Sequence, residues 1–380
     1  IPTTSAAIYQ PRYDYNPSVT PATPNGMLIE ESRTNLLTYS NTFTNAAWTQ
    51  TASTVALVSV PAPDGTTTVY TLTDTVANTQ HQISYSYTSA TASTSYSVSI
   101  YLKSNTLTNA QLIITDNATG DINCIFNLSA GTAGTPALTG NWSGVTANIQ
   151  SIGNGWYRCS VSGTKTAAGN TNAVPVIRLV SGGSTSYAGT GSGSIYMFGA
   201  QLEVGTFATS YIPTTSASVT RVADVVKLSG AALTVGQAAT GSAIVQFSAA
   251  KIDTTYYALS YDNSGAAIYS NRYTLSTTAG TIASGGVTQA TLTYNPVISA
   301  NTVSRVALAW AVNNFSAVAN AGTVQTSNTG TLPSGINVGY LGLYRASPLS
   351  INGPIASVAL YNTRLPDTIL KQKSSVNAPY

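Results

Sequence analysis

The chain has 380 residues, only 7% of them charged, and a formal net charge of +3; average globular proteins carry roughly 25% charged residues, so Ser, Thr, Ala, Gly and Asn stand here where charge is usual. So small a charge supplies no basic stripe for nucleic acid, and no run approaches the roughly 18 consecutive apolar residues that mark a membrane-spanning helix. The 23 tyrosines, with many Val, Ile and Thr, argue against a disordered chain, because these side chains pack well on pleated sheets.

Residues 1–25 place Pro2, Pro11, Pro17, Pro21 and Pro24 among Tyr9, Tyr13 and Tyr15. Proline removes a ladder donor and favours extended backbone, so this stretch reads as an arm, its tyrosines anchoring it to a module, a neighbouring subunit or a particle. The chain begins with Ile, which fits a processed product or the visible part of a longer polypeptide.

From residue 26 to 219, short alternating runs recur at 68–72, 82–87, 96–102, 110–115, 123–128, 145–152, 156–161, 174–180 and 194–202. Gly, Asn, Asp and Ser turns separate them, and Asp64-Gly65 and Asn154-Gly155 are hairpin turns in which Gly accepts positive φ. Strands at that spacing with no amphipathic helix between them predict a two-layer antiparallel fold. The phrase Ile-Pro-Thr-Thr-Ser-Ala then occurs at 212–217, repeating residues 1–6, and an Arg followed closely by an Asp comes after both copies: Arg12 with Asp14, Arg221 with Asp224. Repetition at that separation signals modular construction. The pattern restarts over 220–380, with strands read at 242–248, 256–261, 267–270, 272–277, 304–312, 339–344 and 355–361, and a short closing helix at 367–372 that Asp367 opens. The expected fold is all-β: two antiparallel β-sandwich domains, 26–219 and 220–380, behind an extended N-terminal arm, 1–25.

Candidate chemistry is sparse. Cys124 and Cys159 lie in alternating strands and read as buried free thiols, with a cross-sheet disulfide as the alternative. Glu30 and Glu31 are adjacent, so in a strand they point to opposite faces and cannot form the converging pair of a glycosidase; a structural role, with Arg33 for instance, fits better. His81 is the only histidine and reads as a surface residue; without a base, the many Ser and Thr have nothing to activate them. No cofactor is implied. Structural calcium is the one metal the composition allows, with Asp64, Asp74, Asp116, Asp121 and Glu203 as candidate ligands. The chain is not expected to be an enzyme.

Sugars bind on aromatic faces with a few fixed hydrogen bonds. Trp48, Trp142, Trp156 and Trp310 are the largest platforms. Trp156 and Trp310 sit in alternating strands and read as core, whereas Trp142 stands in a Gly-Asn-Trp-Ser-Gly loop and is expected to be exposed. Tyr85 and Tyr87 share a face, as do Tyr257 and Tyr261, while Tyr269, Arg272 and Tyr273 form a polar-aromatic group. The carbohydrate-binding candidates are therefore Trp142, Tyr85, Tyr87, Tyr257, Tyr261, Tyr269 and Arg272.

Four motifs carry a resemblance: RYDYNP…NGMLIEESRTNLLTYSNTFTNAAWTQ (12–50), PDGTTT (63–68), GNGWYRCSVSGT (153–164) and IYMFGAQLEVGTFATSYIPTTSASVTRVADVV (195–226). Together they resemble the carbohydrate-binding-like jelly-roll modules of bacteriophage head-spike and tail-fibre proteins, over roughly residues 8 to 226. The segments SRVALAWAVN (304–313), LPSG (332–335) and GPIASVALYNTRLPD (353–367) are similar to the closing half of laminin-G and concanavalin A-like domains. The resemblance implies a virion-surface, extracellular fibre, spike or decoration protein that is a homo-oligomer, meets other virion proteins through the arm, and contacts host-surface glycans. The alternatives are a structural cement protein that binds no sugar and a secreted bacterial adhesin or glycan depolymerase.

Overall fold

The computed structural model describes residues 11–16, 23–118, 120–166, 170–252, 256–263, 272–344 and 350–378. Strand accounts for 53% and helix for 4%, which makes the chain all-β. It divides into two compact units: residues 33–221 form one, while residues 11–16, 23–32 and 222–378 form the other.

The first unit is a sandwich of two antiparallel sheets. One runs Thr132–Ala133, Asp121–Asn127, Asn109–Thr115, Val174–Val180, Gln82–Tyr85, Trp48–Thr51, with Ala137–Leu138 also pairing Asp121–Asn127. The other runs Trp142–Gly153, Trp156–Lys165, Thr94–Ser104, Ser194–Val204, Thr68–Asp74, Ser53–Ser59. Alternation in these strands delivers Leu112, Ile114 and Ile177 from the first sheet and Val98, Ile100 and Val161 from the second into one core. Cys124 and Cys159 enter that core from opposite sheets as free, buried thiols, as the sequence suggests. On the outer side of the second sheet, Tyr101, Trp156 and Phe198 are covered by Tyr211 and Ala62, with the Tyr101, Phe198 and Tyr211 rings meeting edge to face.

The phrase at 212–217 closes this unit. Asn35, fully buried, donates from Nδ2 to the carbonyls of Ile212 (2.8 Å) and Ala200 (3.2 Å), and its Oδ1 accepts from the amides of Leu37 and Leu202. Gln201 accepts from the Ile212 amide at 2.7 Å and donates to Glu203, whose two oxygens also accept from the amide and hydroxyl of Thr209. Thr214 donates from its amide to Ser40 Oγ and from its hydroxyl to the Leu37 carbonyl. These buried polar groups answer one another, which is the condition under which polar groups can leave water. The motif residues are therefore a latch.

The second unit is also a two-sheet sandwich. A seven-stranded sheet runs Arg12–Asn16, Thr23–Ile29, Gly353–Tyr361, Gly241–Phe247, Ser304–Ala311, Asn314–Ala319, Gln325–Ser327. A six-stranded sheet runs Val226–Leu228, Val338–Leu341, Tyr257–Asp262, Arg272–Ser276, Ala279–Ser284, Val287–Thr293. Phe247, Leu308, Trp310 and Phe315 from one sheet and Leu259, Tyr261, Tyr273 and Leu292 from the other share a core, in which the Tyr273 and Trp310 rings stack 4.6 Å apart. The helix Asp367–Lys373 lays Leu370 over Ile244, Ala307, Ala309 and Val318 on the outer face of the larger sheet, and Asp367 accepts from Ser316 and Arg364.

The expected arm is where the structure departs most. Residues 12–16 and 23–29 are an antiparallel strand pair, and residues 27–29 pair with residues 353–355, so the boundary at residue 26 falls inside a strand of the second unit. Gly26 makes that pairing possible: its φ is +135°, and a Cβ there would lie 2.3 Å from the Ile355 carbonyl oxygen. The pairs at 279–284 and 287–293, and a one-turn-longer start to the second unit at the helix Ala231–Gln237, are further elements that the sequence pattern did not separate from loop. The strand expected at 267–270 lies outside the described residues.

Candidate functional site

The sugar-platform residues named from the sequence do not assemble into one surface. Trp142 is not in an exposed loop: it opens the strand Trp142–Gly153 opposite Lys165 and is 3% exposed. The Lys165 ammonium sits 5.3 Å over its ring and donates to the Asn172 carbonyl, so the indole is a packing surface for a buried cation. Trp48, Trp156 and Trp310 are buried as well. Tyr85 is half-buried against Trp48, and its hydroxyl bonds Thr38 at 2.8 Å. Tyr87 lies beyond the end of that strand, its ring 6.4 Å from Tyr96; burial and the neighbouring Tyr96 push its hydroxyl pKa up.

In the second unit, the expected pairing of Tyr257 with Tyr261 on one face fails because the register shifts between residues 257 and 259. Tyr261 turns into the core, fully buried, donates to the Ala232 carbonyl at 2.6 Å, and is pressed by Gly236 and Gly339, where added Cβ atoms would come within 2.3 Å and 2.9 Å of its ring. Tyr257 stays half-buried, 5.2 Å from Tyr344. Arg272 pairs in register with Asp262 and is half-buried. Tyr269 lies outside the described residues.

Among the described residues, the only exposed aromatic rings are Tyr13 and Tyr15, at 48% and 51%. Sequence reading treated them as anchors of a proline-rich arm. The signal for another role was the alternation Arg-Tyr-Asp-Tyr-Asn ahead of an Asn-Gly pair, a period-two pattern ending in a turn dipeptide.

The acidic and titratable residues are committed to structure. Glu30 pairs with Arg12 at 2.7 Å, and Glu31 accepts from Asn352 Nδ2 at 2.9 Å. His81 is fully buried, contrary to the surface position expected, with Nδ1 2.6 Å from the Ala52 carbonyl and Nε2 3.1 Å from the Tyr187 carbonyl. Of the candidate calcium ligands, Asp64 caps its own turn at Thr66, Asp74 accepts from the Gly193 amide, Asp116 from the amides of Ala118 and Gly120, Asp121 from Asn123, and Glu203 from Thr209. Among the described residues no three His, Cys, Asp or Glu side chains gather around a point, so this set does not fit an ion that takes six to eight oxygens. No described helix is long and apolar enough to cross a membrane.

No family model matches the sequence, and no curated protein matches it. Similar solved structures include the Ruminococcus gnavus IT-sialidase CBM40, at 13% identity and a TM-score of 0.33, covering 40% of this chain and 96% of that one. Domains LG4-5 of the mouse laminin alpha1 chain are similar at 10% identity and a TM-score of 0.28, covering 77% of this chain and 92% of theirs. At such values the likeness says nothing of what this chain binds.

Proposed function

We propose that the chain is a bacteriophage surface component, a fibre, spike or decoration protein, that is displayed as a homo-oligomer and makes weak, repeated contacts with host-surface glycans. The observation that carries this reading is the latch of the first unit. The residues on which the resemblance to phage spike and fibre modules rests, Asn35, Leu37, Gln201, Glu203, Ile212 and Thr214, are the residues that hold one another in the fold. A resemblance concentrated there is one of module construction, and it leaves the ligand open. Commitment of Glu30, Glu31 and His81 to structural partners favours a binding or structural role over catalysis. Multivalent display would turn millimolar single-site affinity into useful attachment.

The test is a screen of the purified chain, displayed multivalently, against a glycan array that includes host-envelope polysaccharides. Selective binding is expected. A blank array favours the second reading, a decoration or cement protein without sugar binding, which the burial of all four tryptophans supports.

A further inference from the structure

The core-facing side of the seven-stranded sheet continues past the core. Phe247, Ile355, Met27 and Tyr13 lie opposite one another in successive strands and so share one face. Along that row burial falls away: Phe247 is 1% exposed, Ile355 4%, Met27 is partly buried against the core, and Tyr13 is 48% exposed. Tyr15 lies two residues on. The bulge in this hairpin puts the extra residue, Asn25, in the partner strand, so alternation in Arg12–Asn16 is kept and Tyr13 and Tyr15 point the same way. The edge is held in place from the other face. There Arg12 reaches Glu30 and Asp224, and Asp14 accepts from Asn25 Nδ2 at 2.8 Å. The result is a rigid ledge with two adjacent phenol rings, beside the unpaired N–H and C=O groups of an edge strand.

We infer that Tyr13 and Tyr15 form a glycan-binding ledge whose occupant is one or two pyranose rings: the phenols take the C–H faces of the sugar, and the edge strand's free backbone groups and the phenol hydroxyls meet its hydroxyls. Area decides against a protein occupant. Two half-exposed tyrosines offer about 200 Å², whereas a stable protein interface needs about 800 Å² from each partner. The site is neutral on the ring face, since Arg12 and Asp14 point away, so it suits uncharged sugar faces over an anionic ligand. This inference rests on the proposed glycan contact and names its place.

The experiment uses the full chain, displayed multivalently on the same polysaccharide array, as wild type, as the double variant Tyr13→Ala/Tyr15→Ala, and as Tyr13→Phe/Tyr15→Phe. Both sites are exposed, so all three are expected to melt within a few degrees of one another. We expect the double alanine variant to lose about tenfold or more in apparent affinity, and the phenylalanine variant to keep most of it because the ring faces remain. Undiminished binding by the alanine variant overturns the ledge while leaving glycan binding intact. No binding by any form takes down both readings. A wild-type oligomer that dissociates only in the alanine variant, by light scattering, would make the ledge a chain-to-chain contact and also overturn the inference.

Discussion

Arg12 donates to Asp224 across 212 residues of sequence, and its second hydrogen bond goes to Glu30 at 2.7 Å. Both acceptors bear on one guanidinium. Burial alone would lower its pKa, but the two carboxylates overcome that and raise it, so the ion triad stays fully charged at any working pH. The Arg-then-Asp element that follows each copy of the repeated phrase thus contributes one half from each copy: the arginine after the first and the aspartate after the second.

Arg12→Ala should loosen the leading hairpin and cost about 1–3 kcal/mol, because two partly buried carboxylates lose their donor. Hydrogen exchange is the discriminating measurement. Amides of residues 27–29 should exchange faster while those of residues 98–102 stay unchanged; equal protection throughout would show that backbone pairing alone holds the hairpin.

Asn35→Leu should destabilise the first unit by about 3 kcal/mol, since it strands the Ile212 and Ala200 carbonyls and the Leu202 amide. Thr214→Val should cost less, near 1 kcal/mol, by removing a single hydroxyl bond to Leu37. Denaturant titration ranks the two. The reverse order would move the centre of the latch from residue 35 to residue 214.

Trp142→Ala should act on stability and leave glycan contact per folded molecule unchanged. A buried indole replaced by a methyl costs about 3–5 kcal/mol, and Lys165 loses the ring beneath its charge. A variant as stable as wild type would mean that the ring is solvent-facing.

Strand existence was legible: the run at 174–180 coincides with its strand, and most others differ only at their ends, because alternation is a local property of the chain. What was not legible depends on distant partners. Trp142 and Tyr261 looked free because nothing near them in sequence reveals Lys165 or Ala232. A one-residue register shift at 258 was enough to separate Tyr257 from Tyr261. His81 seemed a surface residue since its two carbonyl partners come from residues 52 and 187. The arm looked unpaired because the strand it joins begins at Gly353.

Alkaline pH should expose the buried phenols as a stability switch. Burial raises the pKa of Tyr211, Tyr261, Tyr273 and Tyr294 above the usual value near 10. The unfolded chain releases these protons first, so their contribution is complete below about pH 10 and declines as pH rises beyond it. Phenolate absorbance followed with circular dichroism should show a late group of tyrosines ionising only as β structure is lost. Ionisation of every tyrosine near pH 10 with the fold intact would contradict their burial.

Residues 11–32 come off the ribosome before the first unit, yet their strand partner at 353–361 comes almost last. During synthesis the hairpin must wait, with an unmatched edge, while some three hundred residues are added. The first unit can mature meanwhile, since its latch lies wholly between residues 33 and 221. A polypeptide cut at residue 219 would separate the waiting strands from the sheet that receives them. Dividing this molecule for recombinant work at the point where the sequence seems to restart would therefore leave an orphan ribbon on one fragment and a missing border on the other.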